Sequence, residues 1–168
     1  MAGQGSARRV SPRILVIVSW PEDWQARVDG TACGFCAEGR PQESAVGLRI
    51  YAGDVSDAYL SRRAMVRGYA VVIWRGRHVI DPHHLSAQEA ASFHLETLRV
   101  GAALERYYEP LKINYSTLGN RVPHLHTHVT TRYWDDPAPG GPLPDGPNYE
   151  VPPDQLAADA AALRQVLH

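Results

Sequence analysis

Apolar and polar positions alternate with a period of two in several short runs and with a period near 3.6 in two longer ones, so the chain mixes strands with helices. Val46–Ala52 and Ser56–Arg62 predict two short strands around a Gly53-Asp54 turn, and the apolar run Gly68–Trp74 predicts a buried central strand. Ser86 with Glu89 three positions on is a capping box, after which Phe93, Thr97, Val100, Leu104 and Tyr107 hold one helical face until Pro110 stops it. Leu111–Ser116 predicts a strand, Leu118–Arg121 a turn, and Val122–Tyr133 a further strand. Leu156, Ala160, Leu163 and Leu167 then mark an amphipathic helix capped at Asp154. Ile14–Val18 predicts a first strand or an extension packed on the body.

At 168 residues the chain suits a single core. We expect an N-terminal extension over 1–23, a folded body over 24–135, and a tail over 136–168 that ends in the helix. Residues 135–153 are dense in Pro and Gly and predict a lid, a docking arm or a linker. A net charge of −1 gives no global attraction to nucleic acid or an anionic membrane, so an anionic ligand must be met by a local site. Arg8, Arg9 and Arg13 precede an apolar run too short for a secretory signal, and Trp20-Pro21-Glu22-Asp23 stands where small residues would mark cleavage. No run approaches a membrane span, and the expectation is a cytoplasmic protein without a membrane or nucleic-acid partner.

The chemistry concentrates in Val122-Pro123-His124-Leu125-His126-Thr127-His128. On a strand the three imidazoles share one face, and imidazole is neither a strong strand former nor an economical solubiliser there. Cys33-Gly34-Phe35-Cys36 is a Cys-x-x-Cys in a chain without secretory marks, which favours a metal clip or a redox pair over a structural disulfide. A redox pair would open a helix after a strand, and Glu38-Gly39-Arg40-Pro41 is a poor helix start, so zinc fits better. Two more ligands must come from His78, His83, His84, His94 or the triplet; His78, just past the central strand, is preferred. The outer histidines of a straight strand stand about 13 Å apart, too far to share an ion, so the economical partition gives His124 to zinc with Cys33, Cys36 and His78 and leaves His126 and His128 for chemistry.

The pattern His124-Leu125-His126-Thr127-His128-Val129-Thr130 resembles the signature of the histidine triad (HIT) family of nucleotide hydrolases and transferases. The Cys-x-x-Cys, His78, the capped helix, the Asn114 strand and the Gly119-Asn120 turn follow in the order of its zinc-containing branch. The resemblance implies an α+β fold with a five-stranded antiparallel sheet, a long helix and, here, a C-terminal helix. It also implies a homodimer, structural zinc, and attack by the middle histidine, His126, on the α-phosphorus of a nucleotide through a covalent nucleotidyl-histidine. His128, Asn120 and the backbone of the Gly119 turn would then stabilise phosphate charge, with Arg121 suited to a polyphosphate and Asn114 orienting phosphate or ribose. Thr131-Arg132 replaces a frequent Pro-Arg, and Asp57 lies off the spacing of the family's ribose carboxylate. The expected substrate is a dinucleoside polyphosphate or a nucleoside phosphoramidate-like ester. The alternatives are a non-catalytic nucleotide-binding module, or a metal-dependent oxygenase or hydrolase that chelates a catalytic ion through His126 and His128.

Overall fold

The computed structural model describes residues 19–144 and 149–167; the strand expected over 14–18 lies outside them. In chain order the elements are α1 (Trp24–Val28), α2 (Gly34–Glu38), β1 (Gly47–Ala52), β2 (Ser56–Ser61), β3 (Arg63–Ala64), β4 (Tyr69–Trp74), a 3₁₀ turn (Pro82–His84), α3 (Ala87–Tyr108), β5 (Lys112–Thr117), β6 (His126–Arg132), β7 (Tyr149–Glu150) and α4 (Pro153–Leu167). Five strands form one antiparallel sheet in the order β1-β2-β4-β6-β5, while β3 and β7 pair separately. This is the expected α+β architecture.

The pleat divides the sheet into two chemically different faces. Ala58, Leu60, Ala70, Val72, Trp74, Ile113 and Val129 point to one side, where Phe93, Val100 and Leu104 of α3 and Leu156, Ala160, Leu163 and Leu167 of α4 complete the main core. Tyr59, Val71 and Ile73 point to the other and pack with Phe35 and Val46. That second face carries the histidines.

The long helix begins as its sequence dictates: Glu89 N–H donates to Ser86 Oγ, and Ser86 N–H to the Glu89 carboxylate. It ends at Glu109, in the left-handed region at φ 49°, because Pro110 disfavours the helical conformation in the residue before it. On the buried side Glu96 accepts from the backbone of Asp54 and Val55 and from Ser56 Oγ, so the helix clamps the β1–β2 turn. A Cβ at Gly53 would lie 2.2 Å from the Glu96 carboxylate, which is why that turn needs glycine. At the far end Asp159 of α4 accepts from Tyr107 and Tyr108 of α3.

Four expectations need correction. β6 begins at His126 rather than Val122: His124 N–H closes a tight turn on Val122 O around Pro123, and Leu125 bonds to Val79 and Trp74 at the end of β4. α4 begins at Pro153, whose locked φ suits a first helical position, and Asp154 lies inside the first turn. A helix does open within the Cys-x-x-Cys, with Cys33 at its N-cap, but it is only Gly34–Glu38 and ends at Gly39. Finally, the Pro/Gly-rich stretch is anchored: Arg132 donates to the Asp136 carboxylate and to the carbonyls of Ala138 and Gly141. Among the described residues no helix is long and apolar enough to cross a membrane.

Candidate active site and metal centre

Cys33, Cys36, His78 and His124 converge from α2, the exit of β4 and the segment before β6, with their donor atoms all within 4.8 Å of one another. Cys33 Sγ lies 3.3 Å from His124 Nδ1, and Cys36 Sγ lies 3.4 Å from His78 Nδ1 and 3.5 Å from His124 Nδ1. A tetrahedral zinc ion with ordinary Zn–S and Zn–N bonds has sulfur–nitrogen edges of about 3.6 Å, close to these three distances. The other ring nitrogens meet carbonyls, His78 Nε2 at Val28 O (3.1 Å) and His124 Nε2 at Trp74 O (2.8 Å). Those carbonyls hold Nε2–H and turn both Nδ1 lone pairs inward, the usual outer support of a metal-bound histidine. Burial, followed by the hydrogen bond to Cys33, pushes the Cys36 thiol up to about 11, so a bound cation is what would make it a thiolate. The donor set and its geometry therefore fit zinc.

His126 and His128 follow on β6, opposite Ile73 and Val71 of β4, with ring centroids 4.8 Å apart. His126 Nδ1 lies 2.6 Å from the carbonyl oxygen of His124, which makes Nδ1–H the donor and leaves the Nε2 lone pair outward. Burial holds His126 below the usual histidine range and pushes His128 down to about 4, so both rings are neutral near pH 7. His128 Nδ1 is 2.6 Å from Tyr69 Oη; with the phenol donating, His128 keeps Nε2–H as a donor. Among the described residues His126 and His128 belong to neither group of clustered metal-ligating side chains, and their Nδ1 atoms are engaged by His124 O and Tyr69 Oη.

Three site neighbours, Phe35, Tyr69 and Arg132, escaped the sequence reading. Phe35, inside the Cys-x-x-Cys, stands edge-on to both His124 and His126 with ring centroids 5.6 Å away, so the Cys-x-x-Cys segment also supplies a wall to the first two histidines. Tyr69 and His128 are far apart in the chain and meet only through the β4–β6 register. Of the expected substrate residues, Asn114 faces the same side of the sheet as the histidines, and its Oδ1 accepts from Arg132, leaving its amide N–H₂ as the donor. Ser116 lies directly opposite His128. Both border an open cleft of about 740 Å³ between β5 and the Arg132-anchored segment, which the three histidines do not line. Gly119, at φ 138°, makes the turn before the histidines, with Asn120 and Arg121 exposed beside it and Arg121 O accepting from Arg27 of α1. Asp57 is fully buried and committed to Arg40, Arg75 and Arg49, so it is not free to bind a ribose.

The HIT domain family model matches residues 44–135, and the chain belongs to the HIT family, whose members bind nucleotides and include hydrolases and transferases. Solved structures that resemble it include a histidine triad protein from Marinobacter aquaeolei VT8 (23% identity, TM-score 0.67, covering 73% of this chain and 90% of that one). A second is a histidine triad protein from Bradyrhizobium japonicum (22%, TM-score 0.68, 73% and 92%). A third is a Zn-bound histidine triad family protein from Mycobacterium smegmatis (23%, TM-score 0.60, 82% and 94%). None of the curated proteins compared matches the chain.

Proposed function

We propose that the protein is a nucleotide hydrolase or nucleotidyltransferase in which His126 Nε2 attacks the α-phosphorus of a dinucleoside polyphosphate or a nucleoside phosphoramidate-like ester. The observation that carries this reading is the 2.6 Å contact from His126 Nδ1 to His124 O, which presents Nε2 as a neutral, oriented nucleophile. As the P–N bond forms, the bond to the leaving group breaks with its electron pair, and the leaving group takes a proton from solvent, to which the attacking water of the second step returns one. Water or another acceptor then attacks the nucleotidyl-histidine, breaks the P–N bond and restores His126.

His128 Nε2–H and the N–H groups of the Gly119 turn donate to the phosphate oxygens, Asn120 adds a side-chain donor, and Arg121 adds charge for a polyphosphate leaving group. Asn114, oriented by Arg132, donates from the neighbouring strand. Zinc bound to Cys33, Cys36, His78 and His124 supplies a rigid cross-link that fixes the His124 carbonyl; the reacting atoms are on the protein and the substrate. The zinc content of the Mycobacterium smegmatis relative supports this assignment. A homodimer through β5 is part of the proposal, since β5 is an edge strand flanked by exposed Leu111 and Leu118.

The test is turnover of adenosine phosphoramidates and diadenosine polyphosphates by the wild type and by His126→Ala at equal zinc content. The proposal predicts cleavage by the first and none by the second. Wild-type rates in the variant, or binding by the parent without turnover across the panel, overturn it.

A further inference from the structure

Asp81, His83 and His84 bring three metal-ligating side chains together outside the site described above, with donor atoms all within 4.8 Å of one another. They lie on the connection from β4 to α3, where Pro82–His84 forms the 3₁₀ turn and Asp81 is its N-cap residue. The backbone there is already fixed. His84 N–H donates to Asp81 O and Leu85 N–H to Pro82 O, both at 3.1 Å, and Arg77, itself paired with Glu89, donates to His84 O at 3.0 Å. Adjacent ligands around a first-row divalent ion stand about 3–3.4 Å apart, so closing the three donors on one ion takes about an ångström of side-chain rotation without rebuilding the turn.

These side chains have no evident structural duty. His83 and His84 are exposed, with ring centroids 4.2 Å apart and planes tilted 55°, beside a partly exposed carboxylate. Among the described residues none of the three side chains takes part in a hydrogen bond or ion pair. They are not needed to start α3, because Ser86 and Glu89 cap that helix between themselves. Two adjacent imidazoles and a carboxylate, carried on a hydrogen-bonded turn and with their donor atoms uncommitted, are a ligand set for a divalent ion.

We propose that Asp81, His83 and His84 form a second, exchangeable divalent-metal site, distinct from the Cys33/Cys36/His78/His124 centre. Two imidazoles select zinc-, nickel- or copper-like ions over Mg²⁺ or Ca²⁺, which prefer all-oxygen shells. Three protein donors from one exposed turn leave coordination positions for water or for a donor from another molecule, as open metal sites do.

The experiment is calorimetric titration of the untagged, full-length protein with Ni²⁺, with Mg²⁺ in parallel and zinc content measured before and after. The expected result is one equivalent of Ni²⁺ taken up without zinc release, and no comparable uptake of Mg²⁺. Removing even an outer partner of a metal ligand costs about 10–100-fold in affinity, so His83→Ala/His84→Ala should abolish the event and Asp81→Asn should weaken it by at least as much. His94→Ala, an exposed histidine on α3, should bind Ni²⁺ as the parent does. All the substituted residues are at the surface, and unchanged Tm and zinc content confirm that the variants fold. The proposal is overturned if the wild type takes up no Ni²⁺, if the double variant binds it as tightly as the parent, if uptake is matched by zinc release, or if Mg²⁺ binds as tightly as Ni²⁺.

Discussion

His124 holds His126 by its backbone while its own ring turns to the metal centre: the carbonyl oxygen of the first accepts from Nδ1 of the second at 2.6 Å, and His124 Nδ1 lies 3.3 Å from Cys33 Sγ. Neighbouring histidines thus do different work because one precedes the strand and the other begins it. The proposed metal centre and the proposed nucleophile are joined by one peptide carbonyl and by Phe35, whose ring stands edge-on to both His124 and His126.

That coupling predicts what metal removal does. Stripping zinc with a strong chelator, or replacing Cys33 with Ser, should lower Tm and activity together, because the centre joins three segments distant in sequence and steadies the His124 carbonyl. Metal analysis should return one zinc per chain at this centre. Full activity and an unchanged Tm in zinc-free protein would remove the structural role assigned to the ion.

His126→Ala should leave fold and zinc content intact and lower kcat by about 10⁴–10⁶-fold, the scale seen when a covalent nucleophile is deleted. Steady-state kinetics beside a zinc assay separates this from loss of structure. In His128→Ala the second displacement should slow, and a nucleotidyl adduct should accumulate on His126, detectable by mass.

Tyr69→Phe removes one hydroxyl and tests whether that phenol sets the tautomer of His128. A neutral hydrogen bond contributes about 1 kcal/mol, so kcat should fall by roughly fivefold to tenfold with KM little changed and Tm nearly constant. An unaltered kcat would show that His128 orients itself.

Much of the architecture was legible because it is local. The Ser86–Glu89 box, the alternating strands and the Cys-x-x-Cys carry their meaning within a few residues, and the gathering of Cys33, Cys36, His78 and His124 followed from ligand chemistry plus strand spacing. The placement of His124 outside the strand was not legible, since it depends on Leu125 bonding to Val79 and Trp74 instead of continuing the ladder. Tyr69 and Arg132 were missed as site walls for a similar reason: each acts on a partner reached only through cross-strand register, His128 from β4 and Asn114 across the β5–β6 ladder. The five-residue helices α1 and α2 are too short to show a period.

Asp57 anchors the same sheet face from β2, on the far side of β4 from the histidines. Its carboxylate is fully buried between Arg75 and Arg40, at 2.8 and 2.9 Å, with Arg49 at 3.8 Å. Asp57→Asn leaves guanidinium charge without its counter-ion, and breaking a buried pair in this way typically costs about 3–5 kcal/mol. Denaturant unfolding should show that loss; a change within about 0.5 kcal/mol would place the network among the weak surface pairs.

Acid should destabilise the protein before its carboxylates titrate. Burial depresses His126, and depresses His128 to about 4, so the unfolded chain binds protons at these positions more readily than the folded one. Their contribution is intact above the unfolded value near 6.5 and is lost as pH falls from there toward about 4. Chemical denaturation across this window should show stability falling with acid, less steeply in His128→Asn. Stability that is level from pH 7 to 4 would contradict the burial of these rings as neutral groups.

The most direct measurement is the stereochemistry of transfer from a chiral α-phosphorothioate analogue of whichever ester the protein cleaves. Attack by His126 followed by attack of the acceptor makes two in-line displacements, so the account predicts overall retention at phosphorus. Inversion, the mark of a single displacement, would contradict it.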